Sequence, residues 1–428
     1  MSFNVISVVG LGYIGLPTAA MFASKQKKVI GVDVNQHAVD TINVGKIHIV
    51  EPELDVMVKK AVDGGFLKAV TSPEPADAFL IAVPTPFLTV KSENSIPQPD
   101  LSYIESAAKS IAKVLKKGDL VILESTSPVG TTEQMSAWLA EARVDLTFAH
   151  THADNADVMV AHCPERVLPG HVVRELIEND RVIGGMSDKC SQAAVELYRT
   201  FVEGKCVVTN ARTAEMVKLT ENASRDVSIA FANELSIICD KLEIDVWDLI
   251  NLANLHPRVN ILHPGPGVGG HCIAVDPWFI ISKSPSESKL MHAARNVNDF
   301  KPHWVIDKIK QEVANFLSSY PAKTITNMTV ACFGLAFKPN IDDLRESPAL
   351  NIVNELAELS FGRLLAVEPN VEELPSSLKS CIELCSVNEA IAGADICILL
   401  VDHDEFKSIN KERLESTIIV DTKGIWSS

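Results

Sequence analysis

The sequence of 428 residues lacks the features that would place it in a membrane or on a nucleic acid. It contains no apolar run near the roughly 20 residues needed to span a bilayer. The apolar stretch at residues 5–10 lacks both a basic region and a cleavage site. Positive charge is scarce, because 55 Asp and Glu outnumber 39 Lys and Arg for a net charge of -16. Nucleic acids and anionic membranes need a basic surface, so we expect no nucleic acid, no membrane insertion and a cytoplasmic location.

Paired cysteines are also missing. The nine cysteines are an odd number scattered through a long chain, which is unlike a disulfide framework. Cys381 and Cys385 lack the repeated CxxC spacing of a zinc site, so we expect reduced thiols and no metal. The 46% hydrophobic and 22% charged residues are typical of a folded enzyme. The length exceeds that of a single hydrophobic core, which predicts two or three domains.

Short β-branched segments alternate with helical periodicity at both ends of the chain, which predicts parallel sheets with helices on both faces. The strands predicted in the first part are residues 5–9, 29–34, 79–83, 120–125, 159–162, 180–185 and 206–210. Those predicted in the last part are residues 329–338, 363–369, 395–401 and 417–422.

A long segment without Gly or Pro begins at residue 211 and predicts one helix of about thirty residues, with an apolar face that includes Leu219, Phe231 and Ile238. Such a helix suits a domain connector or a dimer interface. The predicted fold is therefore α/β, with two Rossmann-like doubly wound parallel-sheet domains joined by a long-helix linker domain. The predicted boundaries are 1–210, 211–317 and 318–428.

The motif GLGYIG contains Gly10, Gly12 and Gly15 between a predicted strand and a predicted helix. The glycines permit a tight turn, close approach of backbone to a pyrophosphate, and packing of helix on strand. Asp33 ends the second strand 18 residues after Gly15, where a carboxylate binds ribose hydroxyls and repels a 2'-phosphate. The pattern predicts NAD rather than NADP, the alternative being an ordinary strand-to-helix turn.

Thr85, Thr126 and Glu165 each follow a predicted strand, at the edge where open α/β sheets bind ligands. Each threonine taken alone is as well explained by a turn or a helix cap. Glu165 is a candidate acid or base.

Cys272 follows paired glycines and precedes Asp276 by four residues. A nearby helix start would favour a reactive thiolate, whereas most free cysteines are buried apolar residues. Lys218 and Asn222 are four residues apart and share a helix face. The alternative for a lysine on an otherwise apolar face is that its charged end simply extends into solvent. Lys338 and Arg345, near the start of the second α/β part, can meet phosphate or remain exposed loop charges. We leave these alternatives open on residue spacing alone.

Seven motifs in their order resemble the UDP-glucose/GDP-mannose dehydrogenase family, and the resemblance covers essentially the whole chain. The motifs are GLGYIG, VPTP, ESTSPVG, CPE, AEMVKLTEN, GVGGHCIAVDP and FKPNIDDLRESP. The resemblance implies an NAD-dependent oxidation of a UDP-sugar C6 alcohol to a carboxylate by a homodimer. The sequence is most similar to members that act on UDP-N-acetyl-D-mannosamine for surface polysaccharides such as enterobacterial common antigen.

The resemblance also implies roles for individual residues. Cys272 corresponds to the nucleophile, and the other implied catalytic residues are Lys218, Asn222, Asp276 and Glu165. The implied NAD contacts are Gly10, Gly12, Tyr13, Ile14, Gly15, Asp33, Thr85, Thr126 and Arg345. The implied substrate contacts are Arg166, Val167, Lys218, Asn222, Arg225, His256, Arg258, Gly269 and Lys338. Arg258 is expected to reach across the dimer.

The sequence departs from the UDP-glucose branch at two places. Ala274 and Val275 replace the Pro and Lys that usually follow the cysteine, and Pro169 replaces a usual glutamate. Both changes remove charge, which suits a neutral 2-acetamido group. UDP-GlcNAc and UDP-GalNAc remain alternative substrates. A two-electron dehydrogenase, an epimerase that recycles its NAD and a non-catalytic NAD-dependent sensor are the alternative functions.

Overall fold

The structure is a computed structural model that describes residues 3–49, 51–88, 96–168, 170–270, 272–376, 378, 380–415 and 417–426. The chain forms two compact units. The first unit extends to Glu221 and includes Trp278–Pro285, and the second contains Asn222–Pro277 and the residues from Ser286 onward. The three-domain division at residues 210 and 317 stays a prediction.

The first unit contains an eight-stranded sheet with helices on both faces. Its strands are β1 (Val5–Val9), β2 (Lys28–Val32), β3 (Leu67–Val70), β4 (Ala78–Ile81), β5 (Leu120–Leu123), β6 (Met159–His162), β7 (Arg181–Gly185) and β8 (Cys206–Asn210). Its helices are α1 (Gly15–Ser24), α2 (Gln36–Asn43), α3 (Leu54–Asp63), α4 (Ser102–Ala112), α5 (Thr131–Ala142), α6 (Ala149–His152), α7 (Val172–Glu178) and α8 (Asp188–Tyr198).

The strand order is β3-β2-β1-β4-β5-β6-β7-β8. Strands β4, β5 and β6 are buried along their whole length, as expected for parallel strands covered on both faces. The chain reverses its direction of progress between β1 and β4, so the two loops that follow these strands flank the crevice where such sheets bind ligands. One apolar core packs on each face of the sheet.

The edge of this sheet differs from the predicted parallel arrangement. Strand β7 runs antiparallel to β6, and β8 runs parallel to β7. Buried strands carry the same apolar pattern in either direction, so the sequence pattern did not reveal this reversal.

Two helices contain the boundary between the units: α9 (Ala211–Lys241), which confirms the predicted long helix, and α11 (Asp276–Lys283). The other helices of the second unit are α10 (Val246–Ala253), α12 (Lys289–Ser319), α13 (Pro348–Leu356), α14 (Val387–Gly393) and α15 (Asp404–Lys407). Its strands are β9 (Thr329–Phe333), β10 (Arg363–Val367), β11 (Ile382–Leu384), β12 (Ile396–Leu399) and β13 (Ile418–Asp421).

These five strands form a parallel sheet in the order β11-β10-β9-β12-β13. Helices α12 and α13 cover one face, and α14 and Phe406 of α15 pack on the other. Short 3-10 helices complete the description at Ala153–Asn155, Ile325–Asn327, Ala357–Leu359 and Lys411–Leu414. Among the helices of the described ranges, none is long and apolar enough to span a membrane.

Candidate active site

The glycine loop after β1 has one position that the protein itself leaves open. Gly10 adopts a φ of 90°, and its N–H donates to the Val32 carbonyl at 2.8 Å. A Cβ on Gly10 would lie 2.5 Å from the Ala82 carbonyl oxygen, and a Cβ on Gly15 would lie 1.7 Å from the Gly10 oxygen. A Cβ on Gly12 would meet nothing within 4 Å. Gly10 and Gly15 therefore shape the loop, while Gly12 leaves the backbone accessible, which fits the pyrophosphate of NAD.

Asp33 lies just after β2 and is partly exposed. Its Oδ2 accepts a hydrogen bond from Leu11 N at 2.8 Å, and its Oδ1 accepts one from Asn35 N at 2.9 Å. A carboxylate oxygen has a second lone pair, so Asp33 can also accept a ribose hydroxyl. The next residue, Val34, is 94% exposed. An arginine near this carboxylate accommodates the 2'-phosphate in NADP enzymes, and a valine at this position cannot do so.

The predicted NAD contacts Tyr13 and Ile14 lie directly before α1, and Ile14 occupies its N-cap position. Tyr13 is 38% exposed. Both residues therefore lie at the helix end that carries the partial positive charge, where an anionic ligand is favoured.

Thr85 and Thr126 lie together beyond the ends of β4 and β5. The Thr85 hydroxyl donates to the Thr126 carbonyl at 2.7 Å, and the Ser125 hydroxyl donates to the Val83 carbonyl at 2.7 Å. The structure thus brings these two predicted cofactor residues into contact at the edge where the Gly10 turn meets Ala82.

Glu165 is buried after β6 and is held by two donors. Arg181 donates to its Oε2 at 2.8 Å, and the N–H of Arg166 donates to its Oε1 at 2.8 Å. The Arg166 guanidinium binds Glu221 on α9, with Nε at 3.1 Å and Nη2 at 2.5 Å from its two oxygens. Lys218 lies one helical turn before Glu221. The loop after β6 therefore contacts α9 near Lys218, and Val167 continues this loop half-buried.

Sequence reasoning missed the polar groups behind Glu165. The Tyr198 hydroxyl donates to Glu124 Oε1 at 2.5 Å, and the Arg181 guanidinium lies 4.6 Å from the centre of the Tyr198 ring. Burial raises the pKa of Glu124 to about 7, with the Arg181 charge opposing the shift and the Glu165 charge adding to it. The Arg181 guanidinium thus donates a hydrogen bond to Glu165 and also acts electrostatically on Glu124. The available signal was Glu124 itself, a charge at the end of the apolar strand LVIL.

Within the second unit, Cys272, Asp276 and Asn222 lie together. The Cys272 carbonyl accepts hydrogen bonds from Val275 N at 3.1 Å and Asp276 N at 2.9 Å. Asp276 is buried, and its Oδ2 accepts from Asn222 Nδ2 at 2.5 Å. Cys272 itself is exposed. The structure therefore joins three predicted catalytic residues through one turn of chain and one side-chain hydrogen bond.

The loop before Cys272 packs on the segment that carries Lys338. A Cβ on Gly269 would lie 2.4 Å from the Glu346 carbonyl oxygen, and a Cβ on Gly270 would lie 2.9 Å from the Phe337 ring. These contacts leave no room for larger residues. The predicted substrate residues Gly269 and Lys338 consequently lie on two segments in direct contact.

Four other predicted residues of the second unit are exposed. The Arg258 N–H donates to His256 Nδ1 at 3.4 Å in the turn after α10, and the Arg345 guanidinium binds the carboxylate of Asp343 at 2.6 and 2.9 Å. Of the contacts that the structure describes, none links Arg225, His256 or Arg258 to the Cys272 loop.

Comparisons with known proteins match the whole chain. Models of the UDP-glucose/GDP-mannose dehydrogenase family match residues 4–202 as its NAD binding domain, 212–300 as its central domain and 331–428 as its UDP binding domain.

Individual relatives cover the full length. The UDP-N-acetyl-D-mannosamine dehydrogenase of Yersinia pestis is 64% identical over 100% of both chains. The NDP-N-acetyl-D-galactosaminuronic acid dehydrogenase of Ralstonia solanacearum is 61% identical over 100% of this chain and 97% of that protein. The solved structure of UDP-D-ManNAc dehydrogenase from Pyrococcus horikoshii superposes with a TM-score of 0.84 at 39% identity, covering 98% of this chain and 96% of that one.

Proposed function

The chain belongs to the UDP-glucose/GDP-mannose dehydrogenase family, and from that membership we propose that it oxidises C6 of UDP-N-acetyl-D-mannosamine to the carboxylate. The observation that carries the proposal is the exposed Cys272, whose carbonyl accepts from the N–H of the buried Asp276, the residue that Asn222 binds. A thiol at the site serves a four-electron oxidation, whereas oxidation of an alcohol to an aldehyde needs none.

NAD bound at the glycine loop after β1 would supply the hydride acceptor for each of the two oxidation steps. The Cys272 thiol adds to the C6 aldehyde, and the resulting thiohemiacetal is oxidised to a thioester. Water then releases the acid and restores the thiol. Lys218 accepts the proton of the C6 hydroxyl and, with Asn222, donates to the oxyanion that forms at C6. Asp276 supports this proton transfer, and Glu165 assists the hydrolysis.

Binding roles follow the same proposal. NAD is held by Gly10, Gly12, Tyr13, Ile14, Gly15, Asp33, Thr85, Thr126 and Arg345. The UDP-sugar is bound by Arg166, Val167, Lys218, Asn222, Arg225, His256, Arg258, Gly269 and Lys338. The open space at Gly12 and the contact between the Gly269 and Lys338 segments support these two sets.

Substrate choice rests on the loss of charge next to the cysteine. Ala274 and Val275 supply apolar side chains where the UDP-glucose branch has Pro and Lys, which suits a 2-acetamido group. Pro169, the other departure, lies outside the described residues. UDP-N-acetylgalactosamine is the second candidate, because the relatives from Ralstonia at 60% and 61% identity are named for N-acetylgalactosaminuronic acid.

A homodimer in the cytoplasm completes the proposal, with the product serving a surface polysaccharide of the enterobacterial common antigen type. Its support is apolar surface on α9 and after α10: Phe231 is 52%, Ile238 46% and Leu255 77% exposed. Phe231 and Ile238 are seven residues apart and share a face of α9, and exposed apolar surface of this kind favours burial by a partner. Arg258, three residues after Leu255, is proposed to act across this interface.

The first test is the number of NADH formed per mole of limiting UDP-N-acetyl-D-mannosamine, with UDP-GlcNAc, UDP-GalNAc and UDP-glucose in parallel. We expect two NADH with UDP-N-acetyl-D-mannosamine alone. One NADH per sugar, or none, would instead indicate a single-step dehydrogenase or an epimerase. We expect Cys272→Ala to abolish acid formation while NAD binding is kept; a wild-type product yield from this variant would refute the thiol role.

A further inference from the structure

A continuous set of buried polar side chains lies between the two 31-residue helices α9 and α12 within the second unit. We name it the polar seam, and it consists of Asp226, Asn233, Ser236, Arg295, Asn298 and Lys301. All six residues are at most 8% exposed. Buried polar groups are costly unless each finds a partner, so their orientations are tightly constrained.

The orientation of the polar seam is set by its charged end. Arg295 Nη1 donates to Asp226 Oδ1 at 2.6 Å, so this carboxylate oxygen acts as an acceptor. Asn298 must then turn its NH₂ group to Asp226, and Nδ2 lies 2.8 Å from Oδ1. That turn leaves Asn298 Oδ1 as an acceptor, and Asn233 Nδ2 donates to it at 2.9 Å.

The other end of the polar seam is the backbone of the cysteine loop. With its NH₂ group on Asn298, the Asn233 side chain presents Oδ1, which accepts from the Gly265 N–H at 3.0 Å in a buried environment. Gly265 lies seven residues before Cys272. Two residues further on, a Cβ on Gly267 would lie 2.9 Å from Pro348 and 3.0 Å from Pro302. The loop is thus closely packed at Gly267 and hydrogen-bonded at Gly265.

We infer that Asn233 is a positioning residue that sets the position of the Cys272 loop. Three residues of the polar seam, Asn298, Asp226 and Arg295, hold its side-chain amide in the required orientation. The inference rests on the proposed role of Cys272. Loss of the Asn233 amide leaves the buried Gly265 N–H without an acceptor, which is unfavourable in a buried environment and favours a shifted loop. A displacement of about 1 Å at a nucleophile can cost roughly a hundredfold in rate.

The polar seam offers a matched control at Lys301. Its Nζ donates to the Ser236 hydroxyl at 2.5 Å, and that hydroxyl donates to the Asn233 carbonyl at 2.6 Å. This branch reaches the backbone of Asn233 and not its amide. Lys301→Met therefore alters the same buried seam without removing the hydrogen bond to Gly265.

The test compares Asn233→Leu with Lys301→Met in the full-length protein. The rate at which iodoacetamide alkylates Cys272, relative to the exposed Cys381, is measured by peptide mass spectrometry alongside kcat, KM and the NAD affinity. We expect Asn233→Leu to lower the Cys272 to Cys381 ratio several-fold and kcat by about 10- to 100-fold, with NAD affinity unchanged. Lys301→Met is expected to keep both the ratio and kcat.

Two outcomes overturn the inference: an unchanged ratio and kcat in Asn233→Leu, or an equal fall of both in Lys301→Met. Asn233→Ser, which is smaller, polar and too short to reach Gly265, supplies the same measurements should the leucine variant not fold. Alkylation does not depend on the substrate. Wild-type acid formation by Cys272→Ala would refute the proposed role of Cys272, and fewer than two NADH per sugar would refute the proposed function, whereas the alkylation ratio reports separately on loop position.

Discussion

The glycine turns that open the two sheets share one backbone device. Gly10 follows β1 with a φ of 90° and donates to the Val32 carbonyl at 2.8 Å. Gly334 follows β9 with a φ of 91° and donates to the Val367 carbonyl at 2.8 Å. In each unit the turn is tied to the end of the neighbouring strand by the same bond, although the two glycine motifs differ in sequence.

The acidic residues at the ends of β2 and β10 show where the two turns differ. Asp33 accepts from Leu11 N at 2.8 Å and Glu368 accepts from Leu335 N at 2.8 Å, so both carboxylates bind the residue after the glycine. Asp33 is partly exposed, whereas Glu368 is 3% exposed. The first carboxylate can therefore reach a ligand.

The remaining acceptor capacity of Glu368 is taken up inside the protein. It accepts from Ala336 N at 3.1 Å and from Asn370 N at 3.1 Å, and His403 Nε2 lies 3.0 Å away. The other ring nitrogen of His403 accepts from Asn340 N at 2.9 Å, so Nε2 carries the hydrogen that binds Glu368. The same turn geometry therefore leaves its polar groups accessible to a ligand after β1 and closes them within the protein after β9.

The largest effect is expected from substitutions in the glycine turns after β1 and β9. Gly10→Ala and Gly334→Ala each combine a positive φ with a Cβ that would lie 2.5 Å from Ala82 O or 2.3 Å from Val401 Cβ. We expect each to lower the free energy of unfolding by about 2–5 kcal/mol, measured by urea unfolding. Gly12→Ala is the control, with unchanged stability and weakened NAD binding. Equal destabilisation by all three variants would contradict the assignment.

The next effect concerns the closed carboxylate. Burial alone would raise the pKa of Glu368, but hydrogen bonds from His403 and the backbone lower it to about 2 from 4.5. Its stabilisation is therefore complete above pH 4.5 and is lost as the pH falls from 4.5 to about 2. We expect Glu368→Gln to remove roughly 3 kcal/mol at pH 7 and to flatten the acid dependence of unfolding between these values. If the free energy of unfolding, measured by urea titration, depended on pH between 4.5 and about 2 as in the wild type, the assigned role of Glu368 would be wrong.

Glu124 gives the opposite sign in the first unit. Its pKa is raised to about 7 from 4.5, so the folded protein binds the extra proton and stability falls as the pH rises from 4.5 to 7. Glu124→Gln keeps an acceptor for Tyr198 and removes the buried charge. We expect it to stabilise the protein by roughly 3 kcal/mol at pH 8 and to have little effect at pH 4.5. Destabilisation at pH 8 would show that Glu124 must be charged.

The smallest effect separates an open carboxylate from a closed one by ligand affinity. We expect Asp33→Asn to weaken the binding of NAD about tenfold, or about 1.4 kcal/mol, and to reduce the preference of the protein for NAD over NADP. Glu368→Gln is expected to leave the NAD affinity unchanged. Both dissociation constants are measured by calorimetric titration of folded protein. If both variants lost the same affinity for NAD, the assignment of Asp33 as open to a ligand and Glu368 as closed would be wrong.

Most strands and the long helix were predicted from local pattern, because burial on both faces and a helical period of 3.6 residues leave clear apolar patterns. Strand β3 and the three-residue β11 were missed. Strand β3 has four residues and β11 has three, and both are too short to show a period.

The predicted extent of α9 was confirmed, but its apolar face did not reveal which side of the helix packs within the chain. Phe231 and Ile238, predicted to be part of an apolar face, are 52% and 46% exposed, while the polar Asp226 and Asn233 are fully buried. A helix that packs through hydrogen bonds on α12 cannot be recognised from its own hydrophobic period. The partners Arg295 and Asn298 lie more than sixty residues away in sequence.

Features that depend on neighbours in the chain could be predicted from the sequence. They include the α/β class, the glycine turn after β1 with Asp33 beyond it, and the motifs that resemble the dehydrogenase family. Which polar groups are closed and which are open depends on contacts formed by folding. Asp33 and Glu368 follow similar strands, and their difference comes from residues such as His403 that folding brings in from elsewhere. Hydrogen-bond partners, burial and pKa shifts are properties of such distant contacts, which no local spacing encodes.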